Sequence, residues 1–221
     1  MLINFLKTEY VRRASLVDHF LKREETLAAF CGNTHVELAS LGSRPYEAET
    51  IDDGGAGKSV LLTGRALLSG STVAVRKRIT PSGRNSFAAS YTVSDEDRGV
   101  KTEDVMFGVE FNLLLPCCDG PACFYDLGDG VEDRGCHGFA TSGETPAVRK
   151  FRLVDKHTGL IFSLEADEAL TLWRHPVYTV SLSEAGFEKI FQAVCLVLLY
   201  PFTAGAGETL RFILTAKVEG F

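Results

Sequence analysis

Residues 105–115 keep a strict period of two. Val105, Phe107, Val109, Phe111, Leu113 and Leu115 alternate with Met106, Gly108, Glu110, Asn112 and Leu114. Only an extended strand sends such residues to opposite faces, so this stretch predicts a strand with one buried side. The same period runs through Val73–Ile79, closed by Pro81-Ser82-Gly83, and through Phe87, Ala89, Tyr91 and Val93. Phe151–Asp155 and Leu160–Leu164 flank Lys156-His157-Thr158-Gly159, a hairpin in which glycine supplies the positive φ. Ala169–Trp173, Tyr178–Leu182 and Leu210–Val218 read as further strands. Phe191–Tyr200 is apolar on both faces, as a central strand between two layers would be. Many strands and few helices predict an all-β fold, a large antiparallel β-sandwich over residues 46–221. Neither an internal repeat nor a linker divides that region.

Residues 1–45 read differently, as a mixed N-terminal arm. Thr26 can cap a short helix over Leu27–Cys31 that Gly32 closes. Tyr10–Leu21 fits either a helix or an irregular apolar arm, and Pro45 marks extended chain after it. Residues 117–147 are rich in Gly, Asp and Cys and read as one long excursion from the sheet.

Composition narrows the function classes. With 221 residues, 45% of them hydrophobic, the chain can build a full core without metal or disulfide staples. Lys and Arg total 23 against 29 acidic residues, a net charge of −6. That balance argues against a nucleic-acid or anionic-membrane binder, because phosphate contacts need clustered cations. Arg76-Lys77-Arg78 is the one dense basic run. Met1–Tyr10 lacks a secretory pattern, and Phe191–Phe202, broken by Gln192, is far short of the ~20 residues a membrane helix needs. These features predict a cytoplasmic protein.

Cys117, Cys118, Cys123 and Cys136 precede His137, but no Cys-x2-Cys knuckle is present, so reduced loop thiols fit better than a metal site. The run from Asp53 to Lys58 and Ser59 resembles the end of a phosphate loop, yet Asp52 stands where its first glycine belongs and a strand follows. No metal and no cofactor are expected.

No nucleophile motif occurs, and no catalytic residue is assigned. Trp173-Arg174-His175-Pro176 is the more informative cluster, with the single Trp at a strand end stopped by proline. Sugar rings pack their C–H faces on aromatics, while their hydroxyls seek Arg, Asn and Glu. Trp173 is therefore a candidate for stacking, and Arg174, Glu110 and Asn112 for hydroxyl contacts. Trp173 fits a core or inter-layer aromatic better, because Trp is strongly buried on average, and burial away from a groove would remove the stacking role. Glu110 and Asn112 share the less apolar face of their strand, either lining a groove or facing water.

Four segments carry a family resemblance: Arg12-Arg13-Ala14-Ser15-Leu16-Val17-Asp18-His19-Phe20-Leu21, then Pro45-Tyr46-Glu47 and Phe107–Asn112, and above all Leu172–Gln192 with its Trp173, Pro176, Ser183, Gly186 and Phe187. The chain resembles the C-terminal domain of family-57 glycoside hydrolases, the α-amylase and 4-α-glucanotransferase-like enzymes. The resemblance implies a galactose-mutarotase-like sandwich. It also implies a non-catalytic domain that binds an α-glucan or packs on a catalytic (β/α) barrel, which this sequence does not supply. Leu38–Ser43 departs from the Gly-Asp-Phe-type segment of that family, and the Cys-rich loop lies outside its pattern. Two alternatives remain. An aldose or sugar-phosphate epimerase would use Glu110 or Glu188 as base and need a paired acid within hydrogen-bond reach. A structural docking domain would expose an apolar patch of Leu16, Val17, Phe20 and Leu21.

Overall fold

Alternation and turn chemistry divide the chain into thirteen strands and one α-helix among the residues that the computed structural model describes, 13–54, 57–97, 101–116, 122–128, 132–133, 138–183 and 186–220. In order they are β1 (Val17–Lys22), α1 (Leu27–Gly32), β2 (Glu37–Ser40), β3 (Glu47–Asp52), β4 (Lys58–Leu68), β5 (Ser71–Ser82), β6 (Ser86–Asp95) and β7 (Glu103–Leu114). There follow β8 (Cys123–Asp126), β9 (Glu132–Asp133), β10 (Gly143–Asp155), β11 (Leu160–Ser183), β12 (Gly186–Ala204) and β13 (Thr209–Gly220). One curled antiparallel sheet runs β2-β1-β7-β12-β11-β13-β6-β5-β4-β3, and β10 pairs with β11 and carries β8 and β9. The expected all-β architecture is the one observed.

The sheet folds onto itself at β11. Leu160–Ala166 pairs with β13, whereas Thr171–Ser183 pairs with β12, so the strand leaves one layer and joins the other. β10 follows it round with register shifts between Thr145 and Lys150 and a positive φ at Ala147. Bulges of this kind bend a strand and increase its twist. Between the layers Phe20, Phe107, Val109 and Leu198 of one side meet Val75, Tyr91, Phe212 and Leu214 of the other, all buried. The Phe212 ring lies between Tyr91 and Tyr200, with centroids 4.8 and 3.9 Å away.

One buried ion pair crosses this core. Alternation along β1 points Phe20 and Asp18 inward, and Lys77 of β5 meets Asp18 with Nζ 2.8 Å from Oδ2. The ammonium also donates to the Leu16 carbonyl at 2.6 Å and lies 4.4 Å from the centre of the Tyr46 ring. Tyr46 donates its phenolic hydrogen to the same Asp18 carboxylate.

Several expectations change in detail. Ala169–Trp173 and Tyr178–Leu182 belong to one strand, and Pro176 does not end it. Pairing with β10 stops at Arg174, so Pro176 sits where β11 has only β12 beside it and a missing donor is tolerated. Thr26 caps α1, its Oγ1 accepting from the Ala29 N–H at 3.2 Å, but the left-handed closing residue is Asn33, at φ 54°, and not Gly32. Tyr10–Leu21 ends in the edge-side strand β1, which pairs with β7. The expected docking patch is not on the surface: Phe20 and Leu21 are fully buried, one on each face of β1. The excursion at 117–147 contains β8, whose Cys123 is buried and directs its thiol at Asp155, 3.6 Å away. Cys117, Cys118, Cys136 and His137 lie outside the described residues. No helix among the described residues is long and apolar enough to cross a membrane.

Candidate functional site

The layer β1-β7-β12-β11 has a second face, turned away from the main core. The registers place Val17, Glu110, Val197 and Trp173 in one row across it, with Asn112, Cys195 and His175 in the next and His19, Gly108 and Leu199 on the other side. Helix α1 closes this face. Its Phe30 ring meets His35 at 4.7 Å, His19 at 5.6 Å, Trp173 at 5.9 Å and His175 at 6.0 Å between centroids. Leu21, Cys195, Val197 and Leu199 complete a small apolar cluster around it.

A chain of ionisable groups runs along the edge of that cluster. His19 Nε2 lies 2.8 Å from Glu110 Oε2, and Nδ1 lies 3.1 Å from Glu37 Oε2. Both ring nitrogens face carboxylates, which makes the imidazole a charged donor at each. The other Glu110 oxygen accepts from Asn112 Nδ2 at 2.5 Å and from Arg13 at 3.5 Å, and Glu37 Oε1 accepts from the Phe20 N–H at 3.1 Å. Asn112 Nδ2 also donates to the Ala14 carbonyl at 2.9 Å, and Ser15 Oγ bonds the Asn112 backbone at 3.2 Å. Arg13, Ala14 and Ser15 are thus fastened to β7 by Glu110 and Asn112.

Burial opposes charge on all three titrating members, and their mutual contacts overcome it. Burial alone would lower the His19 imidazole, but hydrogen bonds and charge from Glu110 and Glu37 hold it well above its ordinary range. Burial likewise works to raise Glu110 and Glu37, and His19 brings both below the usual carboxylate value. Burial and then the Glu110 charge raise the Cys195 thiol, so it is no thiolate nucleophile.

A pH dependence follows with a definite sign. The native state keeps the His19 proton above pH 6.5, where the unfolded chain releases it, so this contribution to stability is complete below 6.5 and fades as pH rises. Glu110 and Glu37 act in the opposite limb: their contribution is complete above pH 4.5 and is lost as pH falls. Urea unfolding between pH 6.5 and about 8.5, short of the thiol range, is expected to show stability declining with pH. Glu110→Gln should flatten that decline, and equal slopes in the two proteins would contradict the assignment.

The four residues expected to contact sugar do not converge. Glu110, 6% exposed, and Asn112 are neighbours, but the Glu110 oxygens serve His19, Arg13 and Asn112, and Asn112 Nδ2 serves Glu110 and Ala14. Trp173 shares their face yet is only 3% exposed, with Nε1 donating to Glu144 Oε2 at 2.6 Å. It is a core aromatic here and offers no open ring face, which corrects the stacking role. Arg174 is 6% exposed on the opposite face, its guanidinium 4.8 Å from the centre of the Tyr125 ring. Gly143 makes room for it, since a Cβ there would come within 2.3 Å of its Nη1.

Composition and motif do not mark His19 or Glu37 as site residues. Their signal in the sequence was the alternation of Asp18, His19 and Phe20, but only the β1–β7 register sets His19 beside Glu110. Glu110 does have the paired acid that an epimerase reading requires. That pair is closed, however: both His19 nitrogens and both Glu110 oxygens are engaged, and both residues are buried. An open concavity lies elsewhere, a groove of about 670 Å³ on the solvent face of β10, β11 and β13.

Comparison with known proteins places this architecture. Residues 2–214 match the family described as alpha-amylase/4-alpha-glucanotransferase, C-terminal. The chain is 29% identical over 208 residues to the 4-α-glucanotransferase of Thermococcus litoralis, covering 94% of this chain and 27% of that protein. It is 27% identical to the α-amylase of Pyrococcus abyssi, covering 91% and 26%. The crystal structure of the T. litoralis enzyme aligns with a TM-score of 0.75 and 26% identity over 100% of this chain and 29% of that one. A putative aldose 1-epimerase from Klebsiella pneumoniae aligns with a TM-score of 0.52 at 13% identity, over 78% of this chain and 53% of that one, a likeness of fold alone. The chain spans about a quarter of the length of the curated relatives it matches. With the match running over nearly all its residues, the chain belongs to the family of C-terminal domains of α-amylases and 4-α-glucanotransferases.

Proposed function

We propose that this domain is a non-catalytic, carbohydrate-associated unit of a family-57 α-amylase or 4-α-glucanotransferase-like enzyme, holding an α-glucan chain beside a catalytic barrel. The observation that carries this reading is the closed Glu110–His19–Glu37 chain. General acid–base chemistry needs a base within reach of a substrate proton and free to accept it. Here the buried base is already paired on both oxygens, and its partner imidazole stays charged. Family membership supports the choice of ligand, because the relatives are by name an α-amylase and 4-α-glucanotransferases. Among the described residues, Cys31, Cys123 and Cys195 stand outside any disulfide, which fits a reducing compartment such as the cytoplasm.

Isothermal titration with maltohexaose tests the binding half of the proposal, and polarimetry of freshly dissolved α-D-glucose tests the other. Heat of binding without acceleration of mutarotation is the expected result. Accelerated mutarotation that disappears in Glu110→Gln would replace the proposal with the epimerase reading. Absence of heat at millimolar saccharide would overturn the glucan-holding role.

A further inference from the structure

Resting on that reading, we infer that the glucan lies in the groove on the solvent face of β8, β10, β11 and β13, which is lined by none of the four residues expected to contact sugar. Strand register builds this groove. Asp126 pairs with Arg152, Arg152 with Ser163 and Ser163 with Lys217, so these four side chains stand in one row across four adjacent strands. Lys150, Glu165 and Thr215 form the next row by the same pairings. At ~4.8 Å between strands the first row is about 14 Å long, and the second lies about 7 Å from it along the strands. The groove volume, about 670 Å³, falls in the usual range for small-molecule sites.

Charge identifies the class of ligand. Three cations, Lys150, Arg152 and Lys217, face three carboxylates, Asp126, Glu165 and Glu219. They are matched in pairs: Lys150 to Glu165 at 3.3 Å, Lys217 to Glu219 at 2.5 Å, and Arg152 to Asp126. The lining therefore sums to zero, and a phosphorylated or carboxylated ligand would meet a like charge beside every opposite one. A neutral polyol suits such a surface. Each hydroxyl both donates and accepts, so it can bridge a carboxylate and a neighbouring ammonium or guanidinium without stripping either of its partner. Ser163 and Thr215 add hydroxyls between the ion pairs. A row of alternating donors and acceptors about 14 Å long matches a short run of linked sugars better than a single one.

Two other faces, among the described residues, do not offer such a row. The inner face is the apolar core, and the face carrying Trp173 is closed by α1.

The test titrates maltohexaose into the native chain and into the double variant Arg152→Ala, Glu165→Ala, with Glu110→Gln as a control on the opposite layer. Both groove positions are surface-exposed, so the double variant should keep its circular dichroism and urea midpoint. Affinity is expected to fall at least tenfold in the double variant and to hold in Glu110→Gln. Amide shift mapping on the native chain should place the largest changes at Ser163, Glu165, Thr215 and Lys217, which keeps the inference testable if the variant folds poorly. Native binding that the double variant retains, with shifts elsewhere, would overturn this location and leave the glucan-holding function standing. Failure of the native chain to bind would overturn both. Tighter binding of glucose 1-phosphate than of maltose would overturn the assignment of a neutral ligand.

Discussion

Replacing Lys77 by Met is expected to lower the unfolding free energy by about 3–5 kcal/mol, the cost of stranding one member of a buried ion pair. Asp18 is 1% exposed and Lys77 4% exposed, so water cannot take the place of the missing ammonium. The substitution also frees the Leu16 carbonyl, which accepts from Nζ at 2.6 Å. For a chain of 221 residues such a loss corresponds to a fall in Tm of roughly 10 °C. Removing both charges should be milder, since an apolar pair of similar volume leaves no ion unpaired in the core. Urea unfolding of Lys77→Met, Asp18→Leu and the double variant measures this directly. A cost below about 1 kcal/mol for Lys77→Met would show that the pair is solvated in solution.

The second large effect is at Trp173. Trp173→Ala is expected to cost about 3–5 kcal/mol, because the indole fills the space between Phe30, Val197 and the face of β11. Trp173→Phe keeps most of that packing and loses the 2.6 Å hydrogen bond to Glu144, a change of about 1 kcal/mol. Neither loss acts through a saccharide. Affinity for maltohexaose should be unchanged in Trp173→Phe, and in Trp173→Ala wherever the variant remains folded. Loss of binding in folded Trp173→Phe would restore the sugar-stacking role that burial removes.

These two positions show why single-sequence reading reached the fold more readily than the site. The period of two along Val105–Leu115 appears as β7, and the turn at Gly159, with φ 72°, joins β10 to β11 as expected. Phe191–Tyr200 does become a central strand, its residues from Val194 to Tyr200 buried between β7 and β11. In each case the controlling physics is local: alternation decides which face is apolar, and glycine decides where a left-handed turn is cheap. Pro176 misled for the opposite reason. Whether proline ends a strand depends on whether a neighbour requires its missing N–H, and β10 stops before reaching it.

The sequence by itself determined the all-β class, the position of most strands and the family, because these depend on side-chain periodicity and on ordered motifs along one chain. Tertiary structure alone decided which charged residues meet. Asp18 finds Lys77 across the core, His19 finds Glu110 through the β1–β7 register, and Asp126, Arg152, Ser163 and Lys217 line up from four strands. A shift of one residue in any of those registers would turn the same side chains to the other face, and no local signal records which register the packed sheet selects.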